Sequence, residues 1–458
     1  MRRVITAGLA FAISICAVGA GSPAALAADA ATLPFRAGAA RVDIRVPRGA
    51  PLAGYGGARR RLIVPDVLGL YPHAFWFKPS ESTLDPLAAR ALVMYAGETR
   101  VTWVAADLVA VTQQFVRRLG DRLTANGIRA GTLLVSASHT HSGPGGYLAG
   151  PVFAVTATDR EAPEVRDAVL EAMVEAVRRA GAGARDARLA VGRAEAPADM
   201  TRGRLATEPD PTVMVLVLRG VQGEPIAIVW NYAIHPTMLG PRNRKLSGDV
   251  TGAVSRALEG MLGVPAALYV NGAVGDVSPQ RHGYEHLEKT AEALVRTVRG
   301  AVASARPAAA APMVVRVARI PLPSPGLSLK HCVSRWFPSW MRLPLGAWLP
   351  DTTDMVGVAI GRVAWVTMPG EAVSALGREI RNGAGSRWES AFVAGVSNDY
   401  LGYFVRPEDD DHVGYVTCAA VYGPRIGRCL SATASELLRR LPEAGPMTTG
   451  ASPACDRP

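Results

Sequence analysis

Five short stretches of the chain carry side chains able to bind a metal or move a proton. They are "SHTHSGPGG" with His139 and His141, "YAIHPTML" with His235, "GDVSP" with Asp276 and Ser278, "MPGE" with Glu371, and "SNDYLGY" with Asp399, Tyr400 and Tyr403. A neutral imidazole suits zinc, and two histidines with a carboxylate make a frequent zinc-hydrolase ligand set. Residues i and i+2 of an extended strand face one side, so His139 and His141 can reach one pocket unless the loop turns between them. The glycines at 143, 145 and 146 would let the backbone approach a substrate closely. No HExxH helix is present, so a metal site has to be assembled from loops far apart in sequence.

Taken singly, each residue has an ordinary reading. His235 can be a satisfied structural histidine, Glu371 a first-turn acid favoured by a helix dipole, and Tyr403 a core residue with its hydroxyl satisfied. Asp276, Asp399 and Ser278 can be turn residues. Their shared position adds the information, because each follows an apolar run. Runs rich in β-branched residues cover 102–106, 133–137, 213–218, 226–231, 267–271, 355–360 with 363–368, and 392–396. Helical periodicity covers 112–126, 163–180, 250–262, 286–305, 371–381 and 431–441. This alternation predicts an α/β, or mixed α+β, fold: one large domain over 28–442, with mixed β-sheets flanked by helices and the site on strand-end loops.

The chain has 458 residues and is 49% hydrophobic, enough for a substantial core. Its first 27 residues read as a signal peptide: Arg2 and Arg3, an apolar run over 4–18, and the small-residue site Ala25-Leu26-Ala27. A secreted or periplasmic protein is expected. Cys332, Cys418, Cys429 and Cys455 follow the signal and could form two disulfides in three pairings; no CxxC pair is present. The net charge is +11, but the arginines are scattered and no motif supports nucleic-acid binding. The Pro/Trp-rich segment over 321–350 fits no clean period. It can be an irregular loop packed on the core, or an apolar rim that makes peripheral contact with a membrane surface. The Pro/Gly/Thr-rich stretch 443–458 reads as a flexible tail.

Together and in this order, "SHTHSGPGGY", "YAIHPTML", "GDVSP", "MPGE" and "SNDYLGYFV", preceded by "AARVDIRVPRGAPLAGYG", resemble the signatures of the neutral, non-lysosomal ceramidases. The resemblance runs from about Gly38 to Leu441 and covers that family's catalytic domain, without its C-terminal immunoglobulin-like domain. It implies a zinc amidase acting on ceramide or a similar N-acyl lipid. One Zn2+ would be held by His139, His235, Glu371 and Tyr403. His141 would lie near the scissile carbonyl and Tyr415 would be a further active-site tyrosine. Ser278 would either attack or, the favoured role, hold the substrate's primary hydroxyl. The active-site arginine falls on Arg202, with Arg204 the alternative, because Thr201 replaces the asparagine that precedes it in the family. Gln280 and "CAAVYGP" are further departures. The alternatives to this reading are a related amidase or esterase on another acylated small molecule, and a non-catalytic exported lipid-binding protein.

Overall fold

The computed structural model describes residues 35–308 and 312–443; the expected signal peptide, the tail from 444 and Cys455 lie outside the described residues. The main strands are β1 (Phe35–Ile44), β2 (Leu87–Ala96), β3 (Thr99–Ala106), β4 (Thr132–Ala137), β5 (Arg185–Glu195), β6 (Thr212–Gly220), β7 (Pro225–Tyr232), β8 (Ala266–Asn271), β9 (Met313–Pro321), β10 (Thr352–Ile360), β11 (Val363–Thr367) and β12 (Ser390–Ala394). The larger sheet runs β8-β7-β6-β5-β1-β2-β3-β4, and the smaller runs β9-β10-β11-β12. Most neighbours are antiparallel, but β3–β4, β7–β8 and β11–β12 pair in parallel.

Parallel neighbours need a crossover, and each of these pairs has a helix between its strands. The helices are α1 (Gln113–Ala125) between β3 and β4, α3 (Asp249–Leu262) between β7 and β8, and α5 (Ser374–Gly383) between β11 and β12. The other long helices are α2 (Pro163–Ala182), α4 (Tyr284–Ala303) and α6 (Arg425–Arg440). The loops that follow β4, β7, β8, β11 and β12 carry the residues singled out above. In such units, ligands gather outside the carboxyl ends of the strands.

The two sheets pack face to face. Trp103 of β3 stacks on Trp365 of β11 with ring centroids 5.2 Å apart, and both rings are fully buried in the shared core with Phe392. Helices α1 and α2 cover one half of the large sheet's outer face, α3 and α4 the other half, and α5 and α6 cover the small sheet. The result is four layers, helix–sheet–sheet–helix, each burying one apolar face as layered domains require. Asn231 fastens the sheets near the site: its Nδ2 donates to the carbonyls of Val270, Asn271 and Val393 at 2.9–3.0 Å. Asn398 does the same on the other side, exchanging bonds with Val135 through its side chain and backbone at 2.7 and 2.9 Å.

Two expectations change. The helix expected over 371–381 starts at Ser374, and Glu371–Ala372 instead pairs in parallel with Tyr403–Phe404, so Glu371 is not a first-turn acid. Helix α2 runs through Gly181 and is capped at Gly183. Four strands escape the sequence pattern: β1, β2, β5 and β9. Strand β2, LAARALVMYA, is rich in the helix formers Ala and Leu, yet lies buried on both faces, where packing overrides local preference.

Arg90 of β2 is 2% exposed and is held by Asp107 just past β3 (3.2 Å) and Glu259 of α3 (2.6 Å). Removing one partner leaves a buried charge incompletely compensated, at a cost of about 3–5 kcal/mol. Asp107→Ala should therefore lower unfolding free energy by about that amount in a denaturant titration. A loss under ~1 kcal/mol would show that Arg90 finds water or another acceptor.

Candidate metal centre

Three histidines meet at the strand ends. The ring centroids of His139 and His141 lie 5.0 Å apart, those of His139 and His235 4.6 Å, and those of His141 and His235 5.3 Å. One nitrogen from each ring lies within 4.8 Å of the others, close enough to hold a metal ion. The pleat is not what aligns His139 with His141. Strand β4 ends at Ala137, and His139 has φ 68°, the left-handed region, so a turn brings both rings inward. His139 Nδ1 lies 2.6 Å from the Val109 carbonyl, and His235 Nδ1 lies 3.3 Å from the Val274 carbonyl. Each Nδ1 therefore donates its proton to the backbone, and the Nε2 lone pair points into the site. Asp107, which pairs with Arg90, lies two residues before Val109, so the buried ion cluster and the orientation of His139 share one short segment.

Glu371 lies between these two rings and is 1% exposed. Its Oε1 is 3.1 Å from His139 Nε2 and its Oε2 3.5 Å from His235 Nε2. With both Nδ1 atoms donating to carbonyls, each such contact pairs an acceptor with an acceptor, unless a proton or a metal cation lies between them. His139 Nε2, both nitrogens of His141 and Glu371 Oε2 are buried without a hydrogen-bond partner. Buried polar atoms left without partners in this way are rare and point to a bound ion. Burial holds the imidazoles of His141 and His235 well below the ordinary histidine pKa, with the charge of Arg204 adding to the effect, so both rings are neutral and available as donors to a cation. Tyr403 is buried and hydrogen-bonds Glu371; burial and that carboxylate push its phenol well above the usual range. A nearby cation is what would reverse that push. The donor set fits a divalent metal of the zinc type.

Around this centre the other expected residues divide. Ser278 Oγ accepts a hydrogen bond from Arg204 Nε at 2.6 Å. Of the two candidate arginines, Arg204 is therefore the one whose side chain reaches the serine. Arg202 pairs with Ser278 through the backbone of a short antiparallel ladder, and its side chain is exposed. Side chains alternate along an extended segment, so Arg202 and Arg204 should face together; the chain leaves the ladder at Gly203, and only Arg204 turns inward. Tyr415 stands at the mouth, 64% exposed, packed edge-on against Tyr403 with ring centroids 5.5 Å apart. Asp276 serves as the cap of α5, accepting from the backbone and hydroxyl of Ser374 at 2.7 Å. Asp399 accepts from Gln113 N at the start of α1 and from Thr353. Both are structural here. The loop glycines also act differently from expectation. A Cβ on Gly145 would lie 2.4 Å from the Thr158 carbonyl, so this glycine allows protein backbone, not substrate, to approach.

Three further residues contribute to the site. Tyr400 donates to Glu371 Oε1 at 2.5 Å. It sits three residues before Tyr403 in "NDYLGY", and that spacing was the available signal. Tyr55 rests edge-on against His141 at 4.8 Å. Gly54 has φ 103°, and a Cβ there would lie 2.5 Å from His141 Cγ, so the imidazole needs this residue to be glycine.

The centre forms the floor of a cleft of about 600 Å³ whose walls are mostly apolar, among them Val109, Phe153, Val155, Leu327, Leu345 and Trp348. A disulfide between Cys332 and Cys418 ties the 321–350 segment to the short helix Tyr415–Cys418 on the cleft rim. Cys429 is also disulfide-bonded. The core-packing reading of 321–350 holds for Leu322 and Leu349, which pack against the small-sheet core, but not for the exposed tryptophans. Trp336 is 82% and Trp340 78% exposed.

The family model described as neutral/alkaline non-lysosomal ceramidase, N-terminal, matches residues 84–299. That stretch contains His139, His141, His235 and Ser278. The neutral ceramidase of Mycobacterium tuberculosis is 27% identical over 215 residues, 41% of this chain and 33% of that protein. Neutral ceramidase B of Dictyostelium discoideum is 35% identical over 83 residues, 17% of this chain and 12% of that one. The matched stretches thus span a third or less of these relatives. The crystal structure of neutral ceramidase from Pseudomonas aeruginosa superposes with a TM-score of 0.77 at 18% identity, covering 92% of this chain and 76% of that one. A ceramidase complexed with C2 gives 0.78 at 17%, covering 92% and 77%. These structures share the fold. The family model places the stretch 84–299, with the histidine and serine motifs that line the site, in the neutral/alkaline non-lysosomal ceramidase family.

Proposed function

We propose that this protein is a zinc-dependent amidase that hydrolyses ceramide or a similar N-acyl lipid to a fatty acid and a sphingoid-type amine. The observation that carries the reading is the group of buried acceptors, His139, His235 and Glu371, at the floor of an apolar cleft. Tyr403 completes the proposed ligand set. A zinc ion held there would supply Lewis-acid activation of water and of an amide carbonyl.

The chain's own residues account for the rest. The apolar walls take the acyl chain and exclude water from the reacting bond. His141, neutral and with both ring nitrogens unpartnered, can carry a proton to the leaving amine. Tyr415 can donate from the mouth to the developing oxyanion, an interaction worth about 3–4 kcal/mol when well placed. Ser278 accepts from Arg204, which leaves its own hydroxyl proton free to bind a polar group of the substrate. With an arginine rather than a base against it, Ser278 is suited to positioning and not to attack. Glu371 is steadied from below by Tyr400.

Three outcomes are expected. The purified protein should contain about one zinc per chain, and Glu371→Ala should lose it; full zinc retention in that variant would remove Glu371 from the ligand set. Arg204→Ala should lower kcat/KM on ceramide by roughly tenfold or more, because it removes a charge-assisted bond to Ser278, while Arg202→Ala should stay near the parent value. The reverse pattern would restore Arg202 to the site. Tyr415→Phe should lower kcat by ~10²-fold with little change in KM, and an unchanged kcat would take Tyr415 out of the chemistry.

A further inference from the structure

Soluble chains seldom leave large contiguous apolar surfaces in water, and those that exist mark interaction sites. Two such surfaces flank the cleft. One is the turn over 62–71, where Ile63 is 102%, Leu68 79% and Leu70 69% exposed. The other is the segment over 333–348, with Trp336, Trp340 and Trp348 exposed.

The 62–71 turn is held in shape. The carboxylate of Asp66 accepts from the backbone of Leu70 at 2.9 Å and Tyr71 at 2.7 Å, and Leu62 and Asp66 donate to the carbonyls of Trp76 and Phe75. These bonds engage much of the turn's backbone, while the side chains of Ile63, Leu68 and Leu70 stay exposed. The base of the turn is fastened to one wall of the cleft, since Arg61 donates to the carbonyls of Gly56 and Val155, two residues that line it. The second segment contributes Leu345 and Trp348 to the lining and is fixed to the rim by the Cys332–Cys418 disulfide. The apolar surface therefore continues from both outer rims into the cleft.

Charge identifies the occupant. The segment over 333–348 contains arginines and no acid. Arg335 is exposed and stacks over Trp336 at 5.0 Å, and Arg59 is exposed beside the other turn. Asp66, the acid within 62–71, is engaged by backbone N–H groups. Tryptophan with arginine suits the boundary between acyl chains and anionic headgroups. A second protein copy seated on both rims would close the cleft, whereas a bilayer would feed it.

We propose that the 62–71 turn and the 333–348 segment together form a two-sided collar that inserts into an anionic phospholipid bilayer with the cleft opening toward the acyl layer. The placement of the mouth rests on the proposed amidase site, but membrane insertion does not depend on turnover.

The test is sedimentation of the full-length mature protein with phosphatidylcholine vesicles, with and without phosphatidylglycerol. Val67→Ser with Leu68→Ser, and separately Trp336→Ser with Trp340→Ser, should each weaken vesicle partitioning by about tenfold or more, because each pair removes the burial of two large apolar side chains. Arg335→Glu should weaken binding to the phosphatidylglycerol vesicles by about fivefold and barely affect the others. Melting temperatures should stay at the parent value, since all five side chains are outside the core. Glu371→Ala should bind vesicles as the parent does, which separates failure of the collar from failure of the metal site. Parent-level vesicle binding by the combined four-residue variant would overturn the proposal. So would a parent that binds neither vesicle, or a parent dimer that the serine substitutions dissolve, which would assign the collar to a second copy.

Discussion

The structure turns on one buried carboxylate. Glu371 sits against two imidazole nitrogens whose partner nitrogens already donate to main-chain carbonyls, and among the described residues no lysine or arginine pairs with it. A buried anion facing lone pairs is expensive unless a cation joins it. The surrounding scaffold keeps these groups from relaxing apart. The Val109 and Val274 carbonyls fix the rings, Tyr400 and the pairing of Glu371 with Tyr403 fix the carboxylate, and Gly54 leaves room for His141. Strain at His139, with its left-handed backbone, belongs to the same arrangement.

Three strand–helix–strand units explain how residues so far apart in sequence converge. Each parallel pair sends its carboxyl ends to the same edge of the two-sheet sandwich. Asn231, Asn398 and the Ser136–Ser397 hydroxyl contact then lock the large sheet to the small one at that edge. The histidines come from the large sheet, whereas Glu371 and the tyrosines come from the small one. The site therefore exists only when the sheets are stacked, which makes the Trp103–Trp365 core a precondition for the chemistry as well as for stability.

Much of this was legible in the sequence, for identifiable reasons. Strands rich in Val and Ile announced themselves, and the residues just after them were the informative ones. Strands β2 and β5 were not legible, because alanine and arginine carry no strand preference and only sheet burial makes them extended. Glu371 looked like a helix start because a helix does follow; the two-residue ladder with Tyr403 is a long-range pairing that no local pattern reports. Arg204 could not be told from Arg202, since the distinction is where a short ladder ends. Tyr400 was visible in its motif but not distinguishable in role from Tyr403 until the distance to Glu371 was known.

The central claim is that a zinc ion joins the large-sheet histidines to the small-sheet carboxylate. The most direct measurement is anomalous diffraction at the zinc edge from crystals of the protein as purified. A single peak is expected, bonded to His139 Nε2, His235 Nε2 and a Glu371 oxygen at about 2.0–2.2 Å, with the Tyr403 oxygen as the further protein ligand. A peak held by His139, His141 and His235 without Glu371, or no peak at this position in zinc-replete crystals, would contradict it.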